Sequence, residues 1–149
     1  DAGSNSGAAY LVLGSSTGIS HNGLNKADAK FTGEAKEDAA GQSASSAGDI
    51  NNDGYADILI GANKEQTYGY YTGAAYLLLG TSSGIASMSL SSADAKMVGE
   101  ASGDYGGAFV STVGDLDNDG YSDFVIGASG NDEAGSSAGA VYVFYGWDL

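Results

Sequence analysis

The chain has 149 residues and a formal net charge of −14, because 19 acidic side chains face only five basic ones. That charge repels phosphate backbones and gives no basic patch for anionic lipids, which excludes nucleic acid as a partner and argues against membrane insertion. The absence of cysteine excludes disulfides and thiolate metal sites.

The first predicted strand belongs to an internal repeat. The segment Ser6–Gly14 recurs at Thr72–Gly80 and again at Ala138–Gly146, each copy 66 positions after the last. The short segment Ala27–Lys30 recurs at Ala93–Lys96 with the same spacing. Because the register holds without a gap, the chain is predicted to contain a tandem structural unit, in two full copies and a fragment.

Each unit carries four predicted strands. In the later copy they are Asp94–Gly99, Gly107–Val113, Asp123–Ala128 and Gly139–Tyr145. The last two are apolar without alternation, as expected where both faces of a sheet are covered. The first contains Lys96 and suits an outer edge, where a charge discourages further pairing. Repeated four-stranded antiparallel sheets predict an all-β fold built from the blades of a β-propeller. A β-sandwich is the alternative, but it does not require a fixed period.

Each unit has one acidic loop, which leads directly into an apolar strand; in the later copy that strand is Asp123–Ala128. Residues 49–57 and 115–123 both place side-chain oxygens at loop positions one, three, five and nine. Glycine at position six predicts a sharp turn with a left-handed backbone, since glycine takes positive φ without steric cost. Ca²⁺ binds six to eight oxygens at about 2.3–2.6 Å, which suits this alternation. An EF-hand is excluded because position twelve is Ile60 or Ile126 and strands follow. A metal-free turn is the other alternative. It leaves two sets of crowded carboxylates without a counter-cation, so calcium is favoured.

The second copy resembles an FG-GAP repeat, through Gly114–Ala128 together with Tyr105–Phe109 before it and Ala140–Phe144 after it. Such repeats form the propeller at the head of integrin α subunits and related bacterial surface proteins. The resemblance implies that each loop joins the first and second strands of a blade and holds one Ca²⁺, two per chain. It assigns these residues to the two ions: Asp49, Asn51, Asp53, Tyr55 (carbonyl) and Asp57; and Asp115, Asp117, Asp119, Tyr121 (carbonyl) and Asp123.

The predicted blade boundaries leave two blades incomplete. Residues 1–35 give the third and fourth strands of one blade, 36–101 a complete blade, and 102–149 the first three strands of another. Together these strands amount to about two blades, which cannot close a ring, since propellers have four to eight blades. The chain is therefore expected to be an excerpt of a longer propeller or to assemble head-to-tail with copies of itself. A trimer would supply six blades.

A tyrosine-rich loop is the predicted ligand surface. Tyr68, Tyr70 and Tyr71 connect a second and a third strand, and they share one face with Asp104 and Tyr105. Tyrosines give large contact area at low entropic cost, and the resemblance places ligand binding on this face. The alternative is that these rings pack over blade ends.

No catalytic constellation is present, because the single histidine, His21, lies in a Ser/Gly/Asn-rich turn and the acids have metal-loop spacing. The sequence thus predicts a non-catalytic, calcium-binding module for recognition or adhesion outside the cell, with a protein or glycan ligand. Two alternatives remain open: a carbohydrate- or substrate-binding accessory to a larger enzyme, and a purely architectural repeat whose partner is itself.

Overall fold

A computed structural model describes residues 3–19 and 23–146. His21, and Trp147, which the sequence favours as a packing anchor and not a site, therefore lie outside the described residues. The described part of the chain forms three small β-sheets joined by loops and two short 3₁₀ turns, Leu24–Lys26 and Leu90–Ser92. The two turns are 66 positions apart, as the repeat requires. The fold is all-β, as predicted.

The strands are distributed over the sheets as follows. The first sheet has the order β1 (Ala8–Leu11), β2 (Ala29–Thr32), β6 (Met88–Ser89). The second has the order β3 (Ser43–Gly48), β4 (Asp57–Ala62), β5 (Ala74–Leu78), β7 (Ala95–Val98). The third has the order β10 (Ala140–Phe144), β9 (Asp123–Ala128), β8 (Gly106–Gly114). Pairing is antiparallel throughout the second and third sheets.

The strand predictions agree with these bounds to within a few residues. The strand predicted at Asp123–Ala128 has those limits in the structure, and β7 with its Lys96 lies at the edge of the second sheet. One pairing was not predicted: β6 pairs in parallel with β2, through Phe31 opposite Met88 and Thr32 opposite Ser89. Two residues are too few for a periodicity signal, so the sequence could not indicate this strand.

Two hydrophobic interfaces hold the sheets together face to face. At the first, Phe31 of β2 packs with Ile60 and Tyr76 of the second sheet. At the second, Leu59 and Leu77 pack with Phe124 of the third sheet. Strands β4 and β5 therefore have both faces covered, and β5 is buried along its whole length. This double burial is why their sequences are apolar without alternation.

Close backbone contacts fix the spacing between neighbouring sheets. Gly73 forms an isolated parallel bridge to Gly106, and Gly7 forms the equivalent bridge to Ala40. Gly73 has φ +74°, and a Cβ there would lie 2.2 Å from the carbonyl oxygen of Gly106. Only glycine fits this position, since any side chain would push the two sheets apart.

The outer face of the third sheet is not covered within the described residues. Val141 is 67% exposed and Phe109 is 57% exposed on this face, although both belong to strands. The equivalent face of the second sheet is the one that packs against the third. The sheets thus form a row, with the second sheet in the middle.

Candidate metal centres

Each acidic loop closes an antiparallel hairpin, the first between β3 and β4 and the second between β8 and β9. The glycine at loop position six has the predicted left-handed backbone, with φ +89° at Gly54 and +95° at Gly120. A second left-handed residue occurs at position four, where Asn52 has φ +56° and Asn118 has φ +62°. Asparagine tolerates this conformation better than most residues, a role that the ligand spacing did not reveal.

The first carboxylate of each loop organises the tip. The two oxygens of Asp49 accept hydrogen bonds from the amides of Asp53 and Gly54, at 3.0 and 2.8 Å. In the second loop Asp115 accepts from the equivalent amides of Asp119 and Gly120, at 3.1 and 3.0 Å. The chain therefore wraps around this carboxylate in the same way in both copies.

The carboxylate at position nine is buried at the base of each loop. Asp123 accepts the amide of Leu116 at 2.6 Å and that of Gly146 at 2.8 Å, which joins the loop to the end of β10. Asp57 makes the same two bonds, to the amides of Ile50 and Gly80. Burial raises the pKa of Asp57, and the Gly80 and Ile50 amides partly offset that rise. The bonds from the Gly80 and Gly146 amides, which follow β5 and β10, were not predicted from the sequence, because they depend on how the strands pair.

The second loop brings three carboxylates together. Ligand oxygens of Asp115, Asp117 and Asp123 all lie within 4.8 Å of one another. Desolvation and the charges of Asp119 and Asp123 raise the pKa of Asp117. An oxygen-only donor set with crowded negative charge is what a hard divalent cation requires, so the residues fit calcium. Asp119 lies outside this trio, and its Oδ1 accepts the Tyr121 amide at 2.9 Å.

The first loop differs at position three. Asn51 replaces the carboxylate, and its side-chain amide donates to Asp53 Oδ2 at 3.0 Å while its oxygen accepts the Asp53 amide at 3.2 Å. This loop therefore carries one negative charge fewer than the second. The carbonyl ligands assigned to Tyr55 and Tyr121 remain predictions.

The two loops touch each other across the second interface. The Ser122 amide donates to the Asp49 carbonyl at 3.1 Å, and the Asp49 amide donates to Ser122 Oγ at 3.2 Å. Gly48 allows this approach, since a Cβ there would lie 2.5 Å from Ser122 Cβ. Two hydrogen bonds therefore connect the two candidate metal centres directly.

The predicted aromatic surface is formed by two loops that meet. Tyr68 and Tyr70 are 77% and 65% exposed, and the Tyr70 ring stacks on Tyr71 at 3.8 Å between centroids. The ring of Tyr71 lies 5.6 Å from the ring of Tyr105, which belongs to the loop just before β8. Asp104 does not share this surface: it is 2% exposed, and its carboxylate accepts the Ala101 amide at 2.9 Å. That carboxylate shapes its own loop instead.

A polar cluster at the first interface was not predicted. Lys96 Nζ lies 2.8 Å from Glu34 and 3.1 Å from Glu65, and 5.4 Å from the ring centroid of Tyr76. Burial lowers the pKa of Lys96, but the hydrogen bonds to the two glutamates outweigh it, so the pKa is raised overall. The lysine that marked an edge strand in the sequence is therefore also an ion-pair partner of the neighbouring sheet.

Antiparallel hairpins with repeated acidic tips, stacked in a row of sheets, define an all-β repeat protein with candidate cation loops. The FG-GAP repeat family matches residues 40–78 and 106–144, which together cover just over half of the chain. The chain belongs to the FG-GAP repeat family, which confirms the resemblance seen in the sequence. Each matched segment contains one acidic loop. No helix among the described residues is long and apolar enough to cross a membrane.

Proposed function

We propose that the chain is a calcium-binding segment of a β-propeller that serves recognition and not catalysis. The observation that carries the proposal is the clustering of the Asp115, Asp117 and Asp123 carboxylates at a hairpin tip, in a loop that repeats 66 positions earlier. Family membership supports it, since the matched segments coincide with the hairpins.

Calcium has a structural role in this proposal. When bound, it supplies positive charge that offsets the repulsion among the loop carboxylates. The chain's own residues hold the loop shape: backbone amides point at Asp115, and Asp123 anchors the loop base to β10 through the Gly146 amide. Cation binding is therefore expected to stabilise two neighbouring hairpins instead of opening an active site.

Calorimetric titration with Ca²⁺ tests the metal assignment. Two sites are expected, with the second loop binding more tightly because it has one more carboxylate. Asp117→Asn gives this loop the same residue at position three as the first, so its affinity should fall about tenfold or more. Asp132→Asn, an exposed acid outside both loops, is the matched control and should change neither site. Absence of binding at millimolar calcium, or equal affinities for the two loops, would count against the proposal.

Recognition would use the aromatic surface formed by Tyr68, Tyr70, Tyr71 and Tyr105. The exposed Tyr68 and the exposed Tyr70, whose ring stacks on Tyr71, offer rigid contact area for a protein or glycan. Screening immobilised glycans and surface proteins would identify the ligand, and Tyr70→Ala should abolish its binding. Leu24→Ala removes an equally exposed apolar side chain elsewhere and should not. Binding that survives Tyr70→Ala would exclude this surface.

The proposed location is outside the cell, where calcium is millimolar and weak oxygen sites can be filled. Immunodetection of the native protein in the medium or on intact cells is the expected result. Detection only within the cell interior would overturn the location while leaving the calcium sites untouched.

A further inference from the structure

The third sheet has an uncovered face whose repeat equivalents are buried. Val141 and Val143 of β10 are 67% and 47% exposed. The residues 66 positions earlier, Ala75 and Leu77 of β5, are 0% and 2% exposed, because the third sheet packs on them. The same repeat positions thus form an interface in one sheet and an apolar surface in the next, so the established interface predicts the kind of surface that would cover β10.

The third sheet also has an open edge beside β10. In the second sheet the equivalent edge of β5 is paired with β7, with Tyr76 opposite Lys96. Among the described residues no strand pairs with the corresponding edge of β10. Unpaired edges present free amides and carbonyls that can bind another strand.

Strand β2 has the sequence that this edge requires. Its residues Ala29, Lys30 and Phe31 lie 66 positions before Ala95, Lys96 and Met97 of β7. In the second sheet Lys96 pairs with Glu34 and Glu65 and lies over Tyr76. A strand placed beside β10 in the same register would put its lysine over Tyr142, near Glu100 and Asn131.

The charges on the third sheet complement such a lysine. Glu100 occupies the repeat position of Glu34, yet it is exposed, whereas Glu34 is half-buried by its ion pair with Lys96. Burial and the negative charges of Glu100 and Asp104 raise the pKa of Tyr142. Lys30 lies 5.8 Å from the ring centroid of Tyr10 in its own sheet, and it is one of only five basic residues in the chain.

An apolar groove beside β1 provides room for strands of a second copy of the chain. The groove has a volume of about 510 Å³ and is lined by Leu11 and Phe31 of the first sheet and by Ile58 and Ile60 of the second. At the other interface the hairpin β3–β4 fills the equivalent space by packing on Phe124. The hairpin β8–β9 is the repeat equivalent of β3–β4, so it has the side chains to fill the groove of a neighbouring molecule.

We propose that two copies of this chain associate head-to-tail, with β2 of one copy pairing along β10 of the other. The hairpin β8–β9 then enters the groove of the first copy, and β10 takes the place of that copy's β1. Strand β1 is short, and none of its four residues is fully buried, so its displacement exposes little core. The interface is heterologous, so it can close a ring of several copies. This inference does not depend on whether the loops bind calcium.

Sedimentation velocity over a wide concentration range tests whether copies associate. Wild type should form an oligomer, and Val141→Lys should make it monomeric at the same concentrations. Leu24→Lys is the matched control, because Leu24 is 63% exposed, close to the 67% of Val141, and lies outside the interface. Both variants should retain the wild-type circular dichroism spectrum. A wild-type monomer at every concentration would overturn the proposal.

A charge swap tests the register. Lys30→Glu alone and Glu100→Lys alone should each raise the dissociation constant about tenfold or more, and the double variant should restore association to within about threefold. Lys36→Glu makes the same charge change at a side chain that is 67% exposed, and it should have little effect. Failure of the double variant to recover would exclude the Lys30–Glu100 contact.

A disulfide tests the strand pairing directly, because the natural chain has no cysteine. Leu77 lies opposite Ala95 in the second sheet, so Val143 should lie opposite Ala29 of the other copy. The double variant Val143→Cys with Ala29→Cys should give covalent oligomers under oxidising conditions, and Val143→Cys with Ser16→Cys should not. Association without this cross-link would show that a different surface, or a different partner, covers β10.

Discussion

At the residue scale, the buried loop carboxylate of Asp38 makes the free energy of unfolding depend on pH. Asp38 is 2% exposed, and its Oδ2 accepts the Ala35 amide at 2.7 Å. Burial raises its pKa above the ordinary 3.8, the Ala35 amide partly lowers it, and the charges of Glu65 and Glu34 raise it further. Asp104, 66 positions later, makes the equivalent bond to Ala101. Both acids are therefore loop-forming residues.

The first prediction concerns the pH dependence of unfolding. An acid with a raised folded pKa binds more protons in the folded state than in the unfolded state, so it lowers stability as pH rises from about 4 through its folded pKa. Asp38→Asn keeps an acceptor for the Ala35 amide but does not titrate. Thermal unfolding in EDTA between about pH 4 and 7 should therefore show a smaller loss of Tm for Asp38→Asn than for wild type. Asp132→Asn should follow wild type, and a variant slope equal to that of wild type would contradict this reasoning.

At the element scale, the two acidic hairpins are joined and not independent. Ser122 exchanges two hydrogen bonds with the backbone of Asp49, and it directly precedes the buried Asp123 of the second loop. The equivalent residue in the first loop is Ala56, which has no hydroxyl. The serine therefore makes a contact that only one of the two loops can make, and it lies outside the set of predicted ligands.

The second prediction is that Ser122→Ala weakens calcium binding at the first loop. Removal of the hydroxyl leaves the Asp49 amide without its acceptor, which costs about 1 kcal/mol and loosens the first ligand of that loop. Calorimetric titration should show the first loop weakened several-fold. Ser136→Ala, in an exposed loop, should leave both affinities unchanged. If the affinity of the first loop stays at the wild-type value, the contact has no part in binding.

At the whole-molecule scale, the position of a sheet in the row decides how much a repeat position contributes to stability. Leu77 and Val143 occupy the same repeat position, but Leu77 is 2% exposed and Val143 is 47% exposed. Leu77 belongs to the cluster that includes Phe124, Val110 and Ile126 of the third sheet. Among the residues that the structure describes, the second sheet alone is covered on both faces in the monomer.

The third prediction compares these two positions under conditions in which the chain is monomeric. Leu77→Ala removes buried methyl groups and leaves a cavity, so it should lower the free energy of unfolding by about 2–5 kcal/mol. Val143→Ala acts on an exposed side chain and should change it by no more than about 0.5 kcal/mol. Chemical denaturation measures both. A large loss for Val143→Ala at low concentration would mean that β10 is already covered in the monomer.

Much of this organisation could be predicted from the sequence, because it is encoded by local spacing. The 66-residue period indicated the repeated sheets, and the apolar runs at β9 and β10 indicated strands covered on both faces. That holds for their repeat equivalents β4 and β5, whereas β10 has one exposed face. Glycine at loop position six predicted the left-handed turn found at Gly54 and Gly120. Other features could not be predicted because they depend on contacts between distant segments. These include the parallel pairing of β6 with β2 and the burial of Asp104, which the sequence assigned to an exposed surface.

The sequence by itself determined the all-β fold, the repeat and the two acidic hairpin tips, since strand periodicity and loop spacing are properties of consecutive residues. Only the tertiary structure decided that Asp123 is anchored to Gly146, that Ser122 joins the two loops, and that Lys96 pairs with Glu34. It also decided which of two identical repeat positions is core and which is surface. The physical reason is that burial depends on which sheet lies against a face, and residue spacing within one repeat carries no information about that neighbour.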